Sequence, residues 1–376
     1  MKLATTVLVF CVTALLALGT VMLCSAPTGS KFVTQQMVWA GLGLIGCVAA
    51  ARFDYRRMQD FSWVLYGVAV LMLGLVLIPH IGWHINGARR WFKIGPMSFQ
   101  PSEFAKLALI FAIAWYGARF QRQMPKLKRG LLMPALFILP ILALIFLEPD
   151  YGTTLLLAAV SAVMLIVAGV RLRLVLPVVL VGLVAIGLSV WKDPNRLARV
   201  VAFTDVEQHQ LGKGLQQYHA MLALGSGGPT GVGLGDGRHK FYYIPENHTD
   251  FILSIVGEEL GLVATLGVVL AFIAIALCGV TIATRARDTF GLLLACGITF
   301  LIGFQAFINM GVVTTLLPNK GLALPFVSYG GSSLVVMMTC VGVLLSVARQ
   351  AHEPVRRASS GFNPFNPSDM PSTQVS

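Results

Sequence analysis

The sequence predicts an all-α fold, a polytopic membrane helix bundle of about ten transmembrane helices, and two observations predict it. Hydrophobic residues make up 56% of the chain and charged residues only 12%, about half the charged fraction of soluble domains. Mean hydropathy is +0.77. The apolar residues also fall into blocks of about 20, the length of helix that crosses a hydrocarbon core.

The apolar blocks divide the chain into a membrane domain, residues 1–348, and a disordered cytoplasmic tail, residues 349–376. The tail lacks apolar periodicity, which is typical of disorder. Within the membrane domain, residues 192–250 form a large extracytoplasmic loop. The predicted spans lie near residues 3–26, 32–51, 60–82, 103–120, 131–148, 153–170, 174–191, 261–283, 289–317 and 333–348.

The net charge of +12 raises the question of nucleic-acid binding, and its distribution argues against it. Short loops between the spans are strongly basic when the amino terminus is placed inside, as the positive-inside rule requires. We therefore expect a multi-pass protein of the cytoplasmic (inner) membrane with both termini cytoplasmic. The two longer loops on the outer face, residues 82–106 and 192–250, also carry Lys and Arg. They indicate either an anionic ligand or a solvated loop surface.

Two features of the long loop call for interpretation. Residues 215–224 have the pattern of an amphipathic helix, which we expect in the membrane interface. Residues 225–237 are very rich in glycine, but they lack the Gly-Lys-Ser/Thr ending of a phosphate-binding loop and follow no strand. We interpret them as a flexible, close-packed loop.

Asp250 lies where the long loop meets the next apolar run, with Glu258 and Glu259 eight and nine residues further along. Ionisable groups at membrane depth usually face a cavity or a partner. Asp250 is a candidate catalytic base. The alternative is a helix N-cap, a position that favours Asp.

Cations and carboxylates also gather around the first outer loop. Arg89 and Arg90 lie in it, and Glu103 and Lys106 open the next span, three residues apart on one helical face. Lys106 is either a phosphate contact or half of an intrahelical ion pair. Residues 317–333 contain two prolines and several glycines, and backbone broken at membrane depth must line protein or a water-filled cavity.

Five segments in order resemble the SEDS family of cell-wall proteins, the FtsW/RodA/SpoVE group. The sequences of residues 317–325 and 216–228 resemble the division branch, FtsW, more than the elongation branch, RodA. Residues 239–248 depart slightly from the FtsW pattern. The matching segments are residues 88–91 (ARRW), 100–106 (QPSEFAK), 148–152 (EPDYG), 248–251 (HTDF) with 257–261 (GEELG), and 321–333.

The resemblance implies a peptidoglycan glycosyltransferase that polymerises lipid II on the outer face of the membrane during cell division. It implies a class B penicillin-binding protein as partner, together with other divisome proteins. Asp250 takes the position of the family's essential aspartate. No cofactor is certain, although a divalent cation (Mg²⁺ or Mn²⁺) is compatible with the chemistry. The expected substrate-binding residues are Arg89, Arg90, Lys106, Glu103, His248, Lys320, Ser328 and Ser332.

Other functions are compatible with a membrane bundle of this kind. A flippase or transporter for the same lipid would also have a polar cavity and paired intramembrane charges. The charges in this sequence cluster at the outer ends of spans, which favours an enzyme with one outward-facing site. A non-catalytic scaffold that recruits a transpeptidase is the third possibility, and the elongation-type polymerase is the alternative within the family.

Overall fold

The computed structural model describes residues 1–25, 29–85, 88–95, 97–204, 206, 208, 212, 214–239 and 249–352. His248 and residues 353–376 of the predicted tail therefore lie outside the described residues. The last helix continues to His352, a few residues beyond the predicted start of the tail at 349.

The described residues fold into helices and one small sheet. The strands are β1 (Trp83–Ile85), β2 (Ala88–Ile94) and β3 (Met97–Phe99). The helices are α1 (Lys2–Ser25), α2 (Gly29–Arg52), α3 (Tyr55–Met58), α4 (Ser62–Leu77), α5 (Pro101–Arg119), α6 (Met133–Leu147), α7 (Tyr151–Val167), α8 (Leu172–Lys192), α9 (Pro194–Thr204), α10 (Leu215–Gly227), α11 (Ile252–Thr284), α12 (Thr289–Val313) and α13 (Gly331–His352).

Each predicted span corresponds to a helix, which confirms the predicted bundle. Among the described residues, eight helical segments are long and apolar enough to cross a membrane, and the 17-residue α7 is a shorter apolar helix. The tenth predicted span is α5, which carries Glu103, Lys106 and Arg119. These charges lower its hydropathy, but the helix is buried inside the bundle along almost its whole length.

The centre of the bundle is formed by α5, α12 and α13, and the peripheral helices expose apolar side chains. Most residues of α5 and α12 are buried, and α13 packs along α2. At that contact, a Cβ on Gly342 would lie 2.2 Å from the carbonyl oxygen of Cys47. By contrast, Val175 is the one described residue of α8 that is buried. The outer surface of α8 therefore suits lipid.

Long connections gather at one end of the bundle, called here the loop end: residues 78–100, 193–251 and 314–330. The predicted all-α class missed the three-stranded antiparallel sheet in the first of these connections, in the order β1-β2-β3. The strands are only three to seven residues long, too short for a clear alternating pattern. The second connection contains α9 and α10.

The glycine-rich loop of residues 228–237 packs into a break in α11. Gly261 has φ 75° and ψ −169°, a conformation open almost only to glycine. The freed backbone groups pair with the loop, because Leu262 N donates to the Gly228 carbonyl and Val232 N to the Glu258 carbonyl, both at 2.9 Å. The predicted close packing is confirmed for residues 228–237, whereas residues 225–227 belong to α10 and the flexibility of the loop stays a prediction. A helix is present where residues 215–224 predict one, as α10, and it packs against α11 and α12. It buries Gln217 and exposes Met221 and Leu222, so the predicted amphipathic character is wrong.

Candidate active site at the loop end

Asp250 lies in the turn that leads into α11. The helix begins at Ile252 and its N-cap is Phe251, so Asp250 does not occupy the N-cap position. Asp250 is half-buried, and a Cβ on Gly321 would lie 3.2 Å from its Oδ2. The carboxylate therefore faces the 314–330 segment, at the point where Gly321 adopts φ 62° and leaves room for it.

Two polar side chains hold the turn that carries Asp250. Asn309 of α12 donates from Nδ2 to the Asp250 carbonyl at 2.8 Å. Ser328 donates from Oγ to the Thr249 carbonyl at 2.5 Å, and the same oxygen accepts a hydrogen bond from Leu324 N at 2.8 Å. Ser328, a predicted substrate-binding residue, is buried. In this structure it joins the Asp250 turn to the 314–330 segment.

Glu103 and Lys106 form the ion pair that their spacing made possible. Lys106 Nζ lies 2.8 Å from Glu103 Oε1 and donates to Gln305 Oε1 at 3.0 Å. Lys106 is completely buried and Glu103 is 6% exposed. Burial of a charge requires this kind of pairing. The Lys106 ammonium thus contacts protein oxygens here, and its contact with substrate stays a prediction.

Arg89 and Arg90 are neighbours on β2 and therefore point to opposite faces of the sheet. Arg90 donates from Nε to the Glu148 carbonyl at 2.7 Å and from Nη2 to the Pro149 carbonyl at 2.6 Å. It fastens the sheet to the connection between α6 and α7. Arg89 is half-buried and pairs with His84 in the strand register. The two arginines, both predicted to bind substrate, have different surroundings.

The connection between α6 and α7 carries two carboxylates with opposite environments. Asp150 caps α7, accepting from Thr153 N and Thr153 Oγ1 at 3.0 Å each. Glu148 is fully buried, and neither carboxylate oxygen has a hydrogen-bond partner among the described residues. Burial raises the pKa of Glu148 to about 9; the Asp150 charge raises it too, and the Arg90 guanidinium lowers it.

Lys320 brings a cation close to Asp250 along the chain, next to Gly321. Burial lowers the pKa of its ammonium group, and the ammonium makes no hydrogen bond or ion pair with the residues that the structure describes. Its backbone approaches α7, because a Cβ on Gly152 would lie 2.8 Å from the Lys320 carbonyl oxygen. Ser332, at the start of α13, accepts from Gln100 N at 3.2 Å.

Glu258 and Glu259 are almost completely buried, and both accept hydrogen bonds from the region of the glycine-rich loop. Glu258 Oε1 accepts from Arg238 N at 2.7 Å and lies 3.0 Å from His239 Nδ1. Glu259 accepts from Ser25 Oγ at 2.7 Å and from Gly235 N at 3.1 Å. These contacts anchor the loop to α11 and to the end of α1.

No dedicated metal site is visible in the part of the chain that the structure describes, where no group of three or more His, Cys, Asp or Glu side chains could hold an ion. Mg²⁺ is usually bound through one or two carboxylates together with substrate phosphates. The described residues thus do not form a resident metal centre, and a divalent cation that arrives with the substrate stays a prediction.

Sequence reasoning missed two residues that organise the site, Gln305 and Asn309. Both are 1% exposed on α12. A signal was present in the sequence, since two amides four residues apart share one face of an otherwise apolar span. Polar residues inside membrane helices usually bind a partner. The partners lie on the 314–330 segment, on α5 and on the Asp250 turn, and periodicity does not predict which of these segments meet.

Comparisons with known proteins agree with this architecture over nearly the whole chain. The family model FTSW_RODA_SPOVE, described as "Cell cycle protein", matches residues 5–353. A Trichlorobacter lovleyi protein named "Probable peptidoglycan glycosyltransferase FtsW" is 40% identical over 351 residues, covering 91% of this chain and 92% of the relative. "Stage V sporulation protein E" of Bacillus subtilis is 39% identical over 319 residues, covering 85% of this chain and 87% of the relative.

Solved structures give the same result for the fold. One comes from work titled "Structural coordination of polymerization and crosslinking by a peptidoglycan synthase complex". It superposes with a TM-score of 0.79 at 31% identity, covering 92% of this chain and 98% of the other. The rod-shape-determining protein RodA of Thermus thermophilus superposes with a TM-score of 0.69 at 32% identity, covering 92% and 97% of the two chains.

Proposed function

The chain belongs to the FtsW/RodA/SpoVE family and is a peptidoglycan glycosyltransferase of the FtsW type, and from that premise we propose that Asp250 is its general base. The substrate we propose is lipid II, polymerised into glycan strands on the outer face of the cytoplasmic membrane during cell division. The observation that carries the proposal is the position of the Asp250 carboxylate. It lies at the loop end, facing Gly321, on a turn held by Asn309 and Ser328.

The reaction explains why a carboxylate is needed. The acceptor sugar hydroxyl is a weak nucleophile, so a base within hydrogen-bond reach assists its attack. Asp250 accepts the hydroxyl proton as the oxygen forms a bond to the donor anomeric carbon. The bond from that carbon to the pyrophosphate oxygen breaks with inversion, and undecaprenyl pyrophosphate leaves as an anion.

The leaving pyrophosphate requires positive charge rather than an acid. Preorganised cations that stabilise developing charge contribute strongly to catalysis. Arg90 and Lys106 already bind protein oxygens, so we assign the direct contacts to Arg89 and Lys320. Glu103, Arg90, Ser328 and Ser332 support the site, and His248 stays a prediction. A Mg²⁺ or Mn²⁺ ion brought by the pyrophosphate would supply further charge.

The protein is a multi-pass membrane protein, and its orientation follows as a proposal from the basic loops. Arg285 and Arg287 lie between α11 and α12, and Arg171 lies between α7 and α8, all at the end opposite the loop end. With these loops in the cytoplasm, both termini are cytoplasmic and Asp250 faces the cell exterior. Lipid II polymerisation on that face requires this orientation.

A crosslinking partner is the final part of the proposal. One matched structure is described as a peptidoglycan synthase complex that coordinates polymerization and crosslinking. We infer that this chain likewise works with a class B penicillin-binding protein, whose transpeptidase crosslinks the new strands, and with other divisome proteins.

The decisive experiment is lipid II polymerisation by the purified full-length protein with its transpeptidase partner, in detergent and without a membrane gradient. We expect Asp250→Asn to accumulate and fold normally and to lose at least about 100-fold in rate, within the usual contribution of a general base. Asp236→Asn is the matched control, because it removes the same charge from an exposed residue at the loop end. Polymerisation by Asp250→Asn near the wild-type rate would refute the proposed base.

A further inference from the structure

A column of buried amides on α12 connects the helices of the core to the turn that carries Asp250. Gln305 and Asn309 are four residues apart, hence on one helical face, and each is 1% exposed. Gln305 Nε2 donates to the Ala323 carbonyl at 2.9 Å, and Asn309 Nδ2 donates to the Leu322 carbonyl at 2.6 Å. The column therefore binds two successive carbonyl groups of the 314–330 segment.

These carbonyl groups need donors because the 314–330 segment is not helical around them. Buried backbone groups without partners are costly, above all inside a membrane bundle. Many side chains could satisfy one carbonyl group. Asn309 does more, because its amide nitrogen also donates to the Asp250 carbonyl at 2.8 Å. One hydrogen of the Asn309 amide thus binds the 314–330 segment, and the other binds the turn that carries Asp250.

The geometry also fixes the orientation of the Asn309 amide. Both neighbours are carbonyl oxygens, which accept hydrogen bonds only, so the nitrogen end must face them. One rigid, three-atom amide group thus sets the separation between Asp250 and Leu322. Gly321, the residue before Leu322, is the one that the Asp250 carboxylate faces.

The other end of the column reaches the Glu103–Lys106 ion pair. Gln305 Oε1 accepts from Lys106 Nζ at 3.0 Å while its nitrogen holds Ala323. The buried charge of α5 is thereby joined to the same segment that faces Asp250. This connection gives the ion pair a role in the site without any contact between Lys106 and substrate.

We propose that Asn309 is a positioning residue for Asp250, assisted by Gln305, which ties the segment opposite Asp250 to the Glu103–Lys106 pair. This inference rests on the proposed function. Neither amide touches the reacting atoms. Their effect is to hold the base at one distance from the 314–330 segment, and a displacement of about 1 Å in such a group can cost roughly 100-fold in rate.

The test measures kcat and KM for lipid II, together with the thermal midpoint of the purified full-length protein in complex with its partner. We expect Asn309→Ala to lower kcat by about 10- to 100-fold with KM within about twofold, because orientation rather than binding is lost. Asn309→Ser, which keeps one donor, should fall between Asn309→Ala and wild type. Gln305→Ala should lower kcat less than Asn309→Ala.

Thr299→Val is the matched control. Thr299 is a buried residue of the same helix whose hydroxyl donates, among the residues that the structure describes, to the Ala295 carbonyl of α12 alone, so its loss should leave kcat near wild type. Wild-type kcat for Asn309→Ala would overturn the inference. So would failure of both Asn309 variants to accumulate as folded protein, because the residue would then serve the fold alone.

Asp250→Asn, assayed in parallel, separates the two hypotheses. If Asp250→Asn is inactive and the Asn309 variants keep wild-type kcat, only the positioning role fails. If Asp250→Asn remains active, the proposed base itself fails, whatever the Asn309 variants show.

Discussion

At the scale of single residues, the charged groups near Asp250 differ in what they bind. Lys106 binds the side chains of Glu103 and Gln305, and Arg90 binds two backbone carbonyl groups. Lys106 is thus paired with an opposite charge inside the protein, and the Arg90 guanidinium is bound by backbone oxygens. The side chains of Arg89 and Lys320 make no such contacts with the part of the chain that the structure describes. A pyrophosphate that enters the site would therefore bind Arg89 and Lys320 more readily than Arg90 and Lys106, because fewer existing interactions must break.

Glu148 gives a residue-scale prediction about stability and pH. Its pKa is raised to about 9 in the folded protein from an ordinary value of 4.5. Between these two values the unfolded chain is ionised while the folded chain keeps the proton, so Glu148 makes stability fall as pH rises. Glu148→Gln cannot ionise, and we expect it to flatten the fall of the thermal midpoint between about pH 5 and pH 9.

The measurement is a set of thermal unfolding curves in detergent across that pH range. Asp236→Asn is the control, because this exposed carboxylate should leave the slope unchanged. An unaltered slope in Glu148→Gln would show that Glu148 is ionised in the folded protein, contrary to the prediction.

At the scale of elements, the break in α11 allows the glycine-rich loop to pack at the loop end. A continuous helix through Gly261 would leave the glycine-rich loop without its backbone partners in residues 258–263. The break allows the short first part of α11 to carry Glu258 and Glu259 into contact with that loop. The same part of α11 begins two residues after Asp250, so its anchoring also fixes the position of the base along the helix axis.

Gly261→Ala tests the importance of this break. The backbone at Gly261 has positive φ, and a Cβ there would lie 2.3 Å from Gly231 N. Strain of this kind costs about 1–3 kcal/mol, and we expect a lower thermal midpoint and less folded protein. Gly267→Ala, in the regular part of α11 with open space around the new methyl group, should stabilise by about 0.5–1 kcal/mol.

Thermal unfolding of the two alanine variants side by side provides the measurement. Equal midpoints for both variants would mean that the chain tolerates a side chain at the break, and the packing of the loop against it would not be essential.

At the scale of the whole molecule, the two ends of the bundle have different roles. Every residue assigned to the reaction lies at the loop end, whereas the opposite end has short basic connections. A lipid-linked substrate suits this division, because its tail remains in the bilayer while its sugars and pyrophosphate meet the loop end. The asymmetry also favours an enzyme over a flippase, which would need comparable polar groups toward both sides.

The orientation can be measured by cysteine labelling. In a variant carrying Cys24→Ser, we expect Asp236→Cys to react with a membrane-impermeant maleimide on intact cells. Arg287→Cys should react only after the membrane is permeabilised, because it lies in the turn between α11 and α12 at the opposite end. Both positions are exposed, so access to solvent is matched. The reverse labelling pattern would contradict an outward-facing Asp250.

The sequence alone determined the membrane bundle and the approximate position of each span, and it indicated Asp250 as the candidate base. These features depend on local properties: apolar length, basic loops and an acidic residue at the start of a span. The resemblance of five short segments also indicated the family. Features of this kind can be predicted from the sequence because each depends on residues that are neighbours along the chain.

Only the tertiary structure decided the partners of the polar groups. The pairing of Lys106 with Gln305, the separate surroundings of Arg89 and Arg90, and the two carbonyl groups shared by Asn309 all join residues distant in the chain. A hydropathy scale assigns each of these side chains a free-energy cost of burial and takes no account of its partners. In the folded bundle that cost is offset by specific donors and acceptors, and these contacts turn a set of spans into a site around Asp250.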